Sequence, residues 1–173
     1  MKRSPTQKFR RRIRSRARQD HKGPMLTTNH ETPVKTETHN EQWHAGITVR
    51  REVLGDSYVS ESLQRTAGTE SEALQSHITE TVWGAVWTRP GLDRRSRSLL
   101  NIGMLVALNQ HHELAVHIRG ALRNGLTRDE IVESIVHATA YCGAPAGLAA
   151  MRVVQKTLDA ETLAAGGAEA APA

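Results

Sequence analysis

In the stretch Gln110-His111-His112-Glu113-Leu114-Ala115-Val116-His117-Ile118-Arg119-Gly120-Ala121-Leu122-Arg123-Asn124-Gly125, Leu114, Ile118, Ala121 and Leu122 recur at the spacing of one helix face. Asn124-Gly125 closes the run as a C-terminal cap. Working outward, the same period recurs on both sides. Leu99, Ile102, Gly103 and Val106 predict a preceding helix that starts behind Asp93 as N-cap and breaks at Asn109-Gln110. Its small residues Gly103 and Ala107 suit close approach by another helix. Thr127-Arg128-Asp129-Glu130 is a capping box for a following helix through Ile131, Ile135 and Ala138 to Tyr141. Past Gly143 and Pro145, Leu148, Met151, Val154 and Leu158 predict a last helix ending near Leu163. Upstream, Trp43, Ile47, Arg50 and Leu54 share a face that Gly55-Asp56 terminates. A second amphipathic segment runs from about Ser71 to Val86, with Leu74, Ile78 and Val82 on its apolar side. No internal repeat and no strand pattern is present, so the expected fold is all-α, with about six helices.

The chain has 173 residues with 38% hydrophobic and only 3% aromatic content, so its core rests on aliphatic side chains, which suits helices. Its net charge is +5, a balance that ordinarily points to nucleic acid or an anionic membrane. The distribution of that charge argues otherwise. Residues 1–24 hold ten Lys and Arg against Asp20 alone, a local +9, which leaves −4 for the remaining 149 residues. Three regions are expected: a disordered basic extension over residues 1–40, a helical domain over 41–163, and a disordered Ala/Gly tail over 164–173. The extension admits a nucleic-acid arm, a solvated tail, a transit peptide, or a start at Met25. Cys142 is the only cysteine, so neither an intramolecular disulfide nor a CxxC pair exists, and a reducing compartment fits. No apolar run reaches the roughly 20 residues of a membrane span.

His112 and His117 with Glu113 between them look like the zinc-protease pattern, lengthened by one residue. Positions five apart diverge by about 140° around a helix, so the two imidazoles do not share one metal. Glu113 and His117, four apart, do share a face. A carboxylate there is expected to raise the imidazole pKa and favour a proton donor. Spacing alone leaves an ordinary surface pair as the simpler account, but His117 lies between Leu114 and Ile118 at the edge of the buried stripe. Arg94, Arg95 and Arg97 fall in the first turns of the helix behind Asp93, where the macrodipole disfavours cations, and an anionic partner would offset that cost. Solvated arginines are the plainer alternative, above all for Arg94. His137 and Cys142 read as packing or interface residues.

Several runs together resemble the γ-carboxymuconolactone decarboxylase family, within the alkylhydroperoxidase D-like superfamily. They are Trp83-Gly84, Trp87-Thr88-Arg89-Pro90-Gly91-Leu92-Asp93-Arg94-Arg95-Ser96-Arg97-Ser98-Leu99, Met104 to Leu108, Glu113-Leu114 with His117, Asn124 to Thr127, and Tyr141-Cys142-Gly143-Ala144-Pro145. Arg50-Arg51-Glu52-Val53-Leu54-Gly55-Asp56 is similar to the family's N-terminal region, and coverage runs from about residue 43 to 160. Where thiol members carry a CxxC pair before the histidine, this chain has Gln110 and Glu113, which disfavours disulfide-exchange chemistry.

The resemblance implies a compact helical subunit in a homo-oligomer, a hexameric ring in the family, and a cytoplasmic step of protocatechuate breakdown. In that step 4-carboxymuconolactone loses CO2 to give the β-ketoadipate enol-lactone, with no cofactor and no metal. On that footing His117 is expected to donate the proton and Glu113 to orient it. Arg97 is expected to bind a substrate carboxylate, with Arg95 and Arg89 as further candidates. Membrane or nucleic-acid partners are not expected of the folded part. The alternatives are a related lactone or keto-acid decarboxylase or isomerase, and a non-enzymatic helical assembly module.

Overall fold

The computed structural model describes residues 39–169, and the expectations for residues 1–38 and 170–173 lie outside them. The described residues form seven α-helices and one π-helical segment: α1 (Glu41–Leu54), α2 (Asp56–Thr66), α3 (Ser71–Ile78), the π segment (Thr79–Trp87), α4 (Arg94–Ala107), α5 (His111–Arg123), α6 (Arg128–Cys142) and α7 (Ala144–Glu169). No strand occurs among them.

The expected boundaries rest on real caps. Asp93 accepts a hydrogen bond from the Ser96 amide at 2.7 Å. Thr127 and Glu130 form the reciprocal capping box, and Gly125 and Gly143 take the positive φ values, 88° and 84°, that end helices cleanly. Three expectations are corrected. α2 was not foreseen, because it starts at Gly55 without a side-chain cap and buries only Val59 and Ser62. α7 continues past Leu163 through Glu169; alanine is the best helix former, and extending an existing helix fixes only one further residue per hydrogen bond. Most of the expected apolar stripe of the segment after Ser71 faces outward, with Leu74, Val82 and Val86 at 58%, 41% and 46% exposure, while Ile78 packs against the core.

That reversal follows from the π register. The segment turns Thr79, Trp83, Gly84 and Trp87 inward instead, and two tryptophans bury more apolar area than the aliphatic row they displace. It crosses α1 at a contact between two glycines. A Cβ on Gly46 would overlap the Thr79 carbonyl oxygen and come within 2.6 Å of the Gly84 nitrogen, and one on Gly84 would overlap the Gln42 carbonyl oxygen. Close approach was expected at Gly103, where a Cβ would meet nothing within 4 Å; Gly103 instead lines an open groove of about 550 Å³ between α4 and α6.

Two hydrophobic clusters result. Ile102, Val106, Leu114, Ile118, Ala121, Ile131, Ile135, Val154 and Leu158 join α4 to α7. Val53, Leu54, Val59, Trp83, Trp87 and Val116 join α1, α2 and the π segment to α5. α5 serves both, with Val116 in one cluster and Ile118 in the other, and His117 falls on the line between them.

Candidate active site

His117 rests on an aromatic floor. Its ring centroid lies 6.2 Å from Trp83 with the planes 8° apart, and 6.3 Å from Trp87 at 19°. The two indoles stack on each other at 4.9 Å. Burial pushes the His117 imidazole down to about 4, because a cation loses hydration there and gains no anionic partner. The ring is therefore neutral at neutral pH. This corrects the expectation that Glu113 would raise it.

The polar neighbour of the ring is Asn101 of α4, whose Nδ2 lies 3.4 Å from His117 Nδ1. With the amide donating, Nδ1 is the acceptor and the neutral ring carries its proton on Nε2. Glu113 is exposed, makes no hydrogen bond to His117, and acts electrostatically on Arg50 and Tyr58. An i, i+4 relation brings two side chains to one face without joining them.

The three expected arginines separate. Arg97, one turn before Asn101 on α4, donates from Nη2 to the Arg89 carbonyl at 2.8 Å, and its Nε is buried with no partner. Arg89 contributes that carbonyl while its own residue is exposed. Arg95 lies about 200° around the helix from Arg97 and forms an exposed ion pair with Glu130 at the margin of the α4–α6 groove. Arg97 thus belongs with the Asn101 face, and Arg95 does not. Arg94 pairs with Glu52 on the surface. His137, expected in packing or an interface, stands exposed beside Tyr141 with ring centroids 5.2 Å apart, and both line that groove.

Reasoning on the sequence missed Asn101 as the partner of His117 and the burial of Arg50, and gave the tryptophans no chemical part. Two signals were present: Asn101 follows Arg97 by four residues, and Arg50 is a charge on the otherwise apolar face of α1. Arg50 is only 5% exposed. It donates from Nη1 to Thr79 Oγ1 at 3.0 Å and from Nη2 to Gln75 Oε1 at 2.8 Å, while its Nε has no partner.

The arrangement offers a neutral imidazole on an apolar aromatic surface, an amide that orients it, and a guanidinium with an unused N–H on the same helix as that amide. Such a set suits an anion that must be held while a proton moves. Known proteins similar to this chain include two decarboxylases. Residues 72–156 match the model of the carboxymuconolactone decarboxylase family. The chain is 46% identical over 123 residues to the nitrosuccinic acid decarboxylase of Metarhizium robertsii, covering 71% of this chain and 85% of the relative. It is 40% identical over 116 residues to the 4-carboxymuconolactone decarboxylase of Acinetobacter baylyi, covering 67% of this chain and 86% of that relative. With most of both decarboxylases matched at 40% identity or more and an all-helical fold, this chain belongs to the carboxymuconolactone decarboxylase family.

Proposed function

We propose that this chain decarboxylates a small dicarboxylic acid without a cofactor, 4-carboxymuconolactone to β-ketoadipate enol-lactone being the first reaction to consider. The observation that carries the reading is the unpartnered Arg97 Nε–H on the helix face that also presents Asn101 to His117. In the lactone, the bond to the departing CO2 breaks and its electron pair delocalises through the double bond into the lactone carbonyl. The substrate is its own electron sink. Arg97 binds a carboxylate and His117 gives the proton to carbon. Because the free imidazole is neutral, a dianion bound beside it raises its proton affinity, and the ring takes up a proton from solvent as substrate enters. Glu113, one turn earlier on α5, adds negative charge beside Arg50 and Tyr58.

Nitrosuccinic acid is the second reading, favoured by the 46% identity to a decarboxylase named for it. It is also a dicarboxylic acid, and the electrons left by CO2 enter its nitro group as a nitronate. Parallel assays decide between the two: loss of ultraviolet absorbance for the lactone and CO2 release for nitrosuccinic acid. Turnover of neither sinks the decarboxylase reading.

The proposal includes a homo-oligomer in the cytoplasm, a hexamer by family resemblance. Leu100 and Met104 on α4 and Leu108 at its C-cap follow one another at 46–65% exposure, with Val136 and Tyr141 on α6 and Leu148 on α7 also exposed. Apolar surface of this kind favours assembly. No helix among the described residues is long and apolar enough to cross a membrane.

A further inference from the structure

Arg50 has no part in the reaction described above, yet its environment is unusual for an arginine. Arg51, Arg94, Arg95, Arg119 and Arg128 each lie against a carboxylate, with side chains 37–49% exposed. Arg50, far more buried, has none. Its two hydrogen-bond acceptors, the Thr79 hydroxyl and the Gln75 amide oxygen, are neutral. A buried guanidinium that uses two of its five N–H donors, both on neutral acceptors, and whose Nε has no partner, is poorly compensated for the hydration it has lost. It is correspondingly receptive to an anion.

Thr79 opens the π segment that carries Trp83 and Trp87, whereas Arg97 reaches the Arg89 carbonyl just beyond the other end of that segment. Among the described residues, the only buried guanidinium nitrogens without a partner are Nε of Arg50 and Nε of Arg97. They therefore stand toward opposite ends of the segment on which His117 is stacked. Arg50 also lies in the field of Glu113, one turn from His117 on α5. Gln75 is half-buried, so its amide oxygen is exchangeable where the deeper Thr79 is not.

We infer that Arg50 is a second carboxylate-binding residue: Gln75 Oε1 holds its Nη2 in the free protein, and a carboxylate of a dianionic substrate, the one Arg97 does not hold, takes the place of Gln75. A charged acceptor then replaces a neutral one at the same donor. The inference rests on the decarboxylase reading for its substrate class, but binding tests it separately from turnover.

The probes are succinate, which is nitrosuccinic acid without its nitro group, and butyrate, which has one carboxylate fewer. Both are titrated against the full chain by tryptophan fluorescence. The unaltered protein is expected to bind succinate at least tenfold more tightly than butyrate. Arg50→Gln removes the cation, and Gln75→Glu keeps it but supplies a resident carboxylate. A Tm no lower than that of the unaltered protein shows that Gln75→Glu keeps its fold. In both variants succinate affinity should fall to that of butyrate, with butyrate affinity unchanged. Retention of the succinate preference in Gln75→Glu, or its absence from the unaltered protein, overturns the assignment. Turnover by the unaltered protein alongside an unchanged preference sinks Arg50 alone, whereas a lost preference without turnover of either acid sinks the decarboxylase reading and leaves a dicarboxylate-binding cleft.

Discussion

His117 Nδ1 meets Asn101 Nδ2 at 3.4 Å, and no hydrogen bond joins it to Glu113, its neighbour one turn earlier on the same helix. The imidazole is therefore oriented by a neutral amide from α4 and not by a carboxylate from α5. Proton affinity of the ring follows from burial and from what the substrate brings.

Replacing His117 tests the proton assignment. His117→Ala is expected to lower kcat by about 10²- to 10⁴-fold, with CO2 release as the readout. Asn101→Leu should act through the ring, lowering kcat while leaving KM within a few-fold. A near-normal rate for His117→Ala removes the proposed donor.

The depressed imidazole makes folding depend on pH. The unfolded ring titrates near 6.5 and the folded one near 4, so below 6.5 the unfolded chain binds more protons. The neutral ring's contribution is present in full above 6.5 and is lost as the pH falls towards 4. About 3 kcal/mol is the ceiling for this group. Urea unfolding at pH 7, 5.5 and 4.5 should show the decline, and His117→Gln should flatten it.

Arg97 and Arg95 should behave differently although two residues apart. Arg97→Leu is expected to lower kcat/KM about 10- to 100-fold, the range for a lost hydrogen bond to a charged group. Arg95→Leu removes an exposed ion pair with Glu130 and should leave kcat/KM within a few-fold. Equal effects would place both arginines in one role.

Gly46→Ala or Gly84→Ala inserts a methyl where α1 meets the π segment. Overpacking at such a contact costs about 1–3 kcal/mol, measurable as a lower denaturant midpoint. The displacement would also move Trp83 and Trp87, so activity should fall further than stability alone explains.

Sedimentation should report six copies of the 19.1 kDa chain. Met104→Glu with Leu108→Glu is expected to break the assembly into smaller species, since both side chains are exposed in the subunit.

Local features were legible and long-range ones were not. Asp93, Thr127 with Glu130, Gly125 and Gly143 act within a few residues of themselves, and each stands where its chemistry predicts. Ile131, Ile135 and Ala138 keep their expected buried face because one packing partner decides it. Leu74, Val82 and Val86 turn outward because α1 meets the opposite side of their helix, a choice made at Gly46 and Gly84. Within the site, Glu113 and His117 are close in sequence, but burial of the ring outweighs that closeness. Asn101 and Arg50 come from distant helices, and only packing of α4 and α1 against α5 and the π segment gives them meaning.

Trp83 and Trp87 belong to a stretch bonded from each residue to the fifth along the chain, one residue wider per turn than an ordinary helix. Its length is therefore as constrained as its composition. Removing one residue between Thr79 and Trp83 while the wider winding persists would rotate everything before the cut by roughly a quarter turn relative to the indoles. Arg50 would then lose Thr79, α1 would lose its glycine crossing, and the tryptophans would remain intact on a helix that no longer presented them to His117.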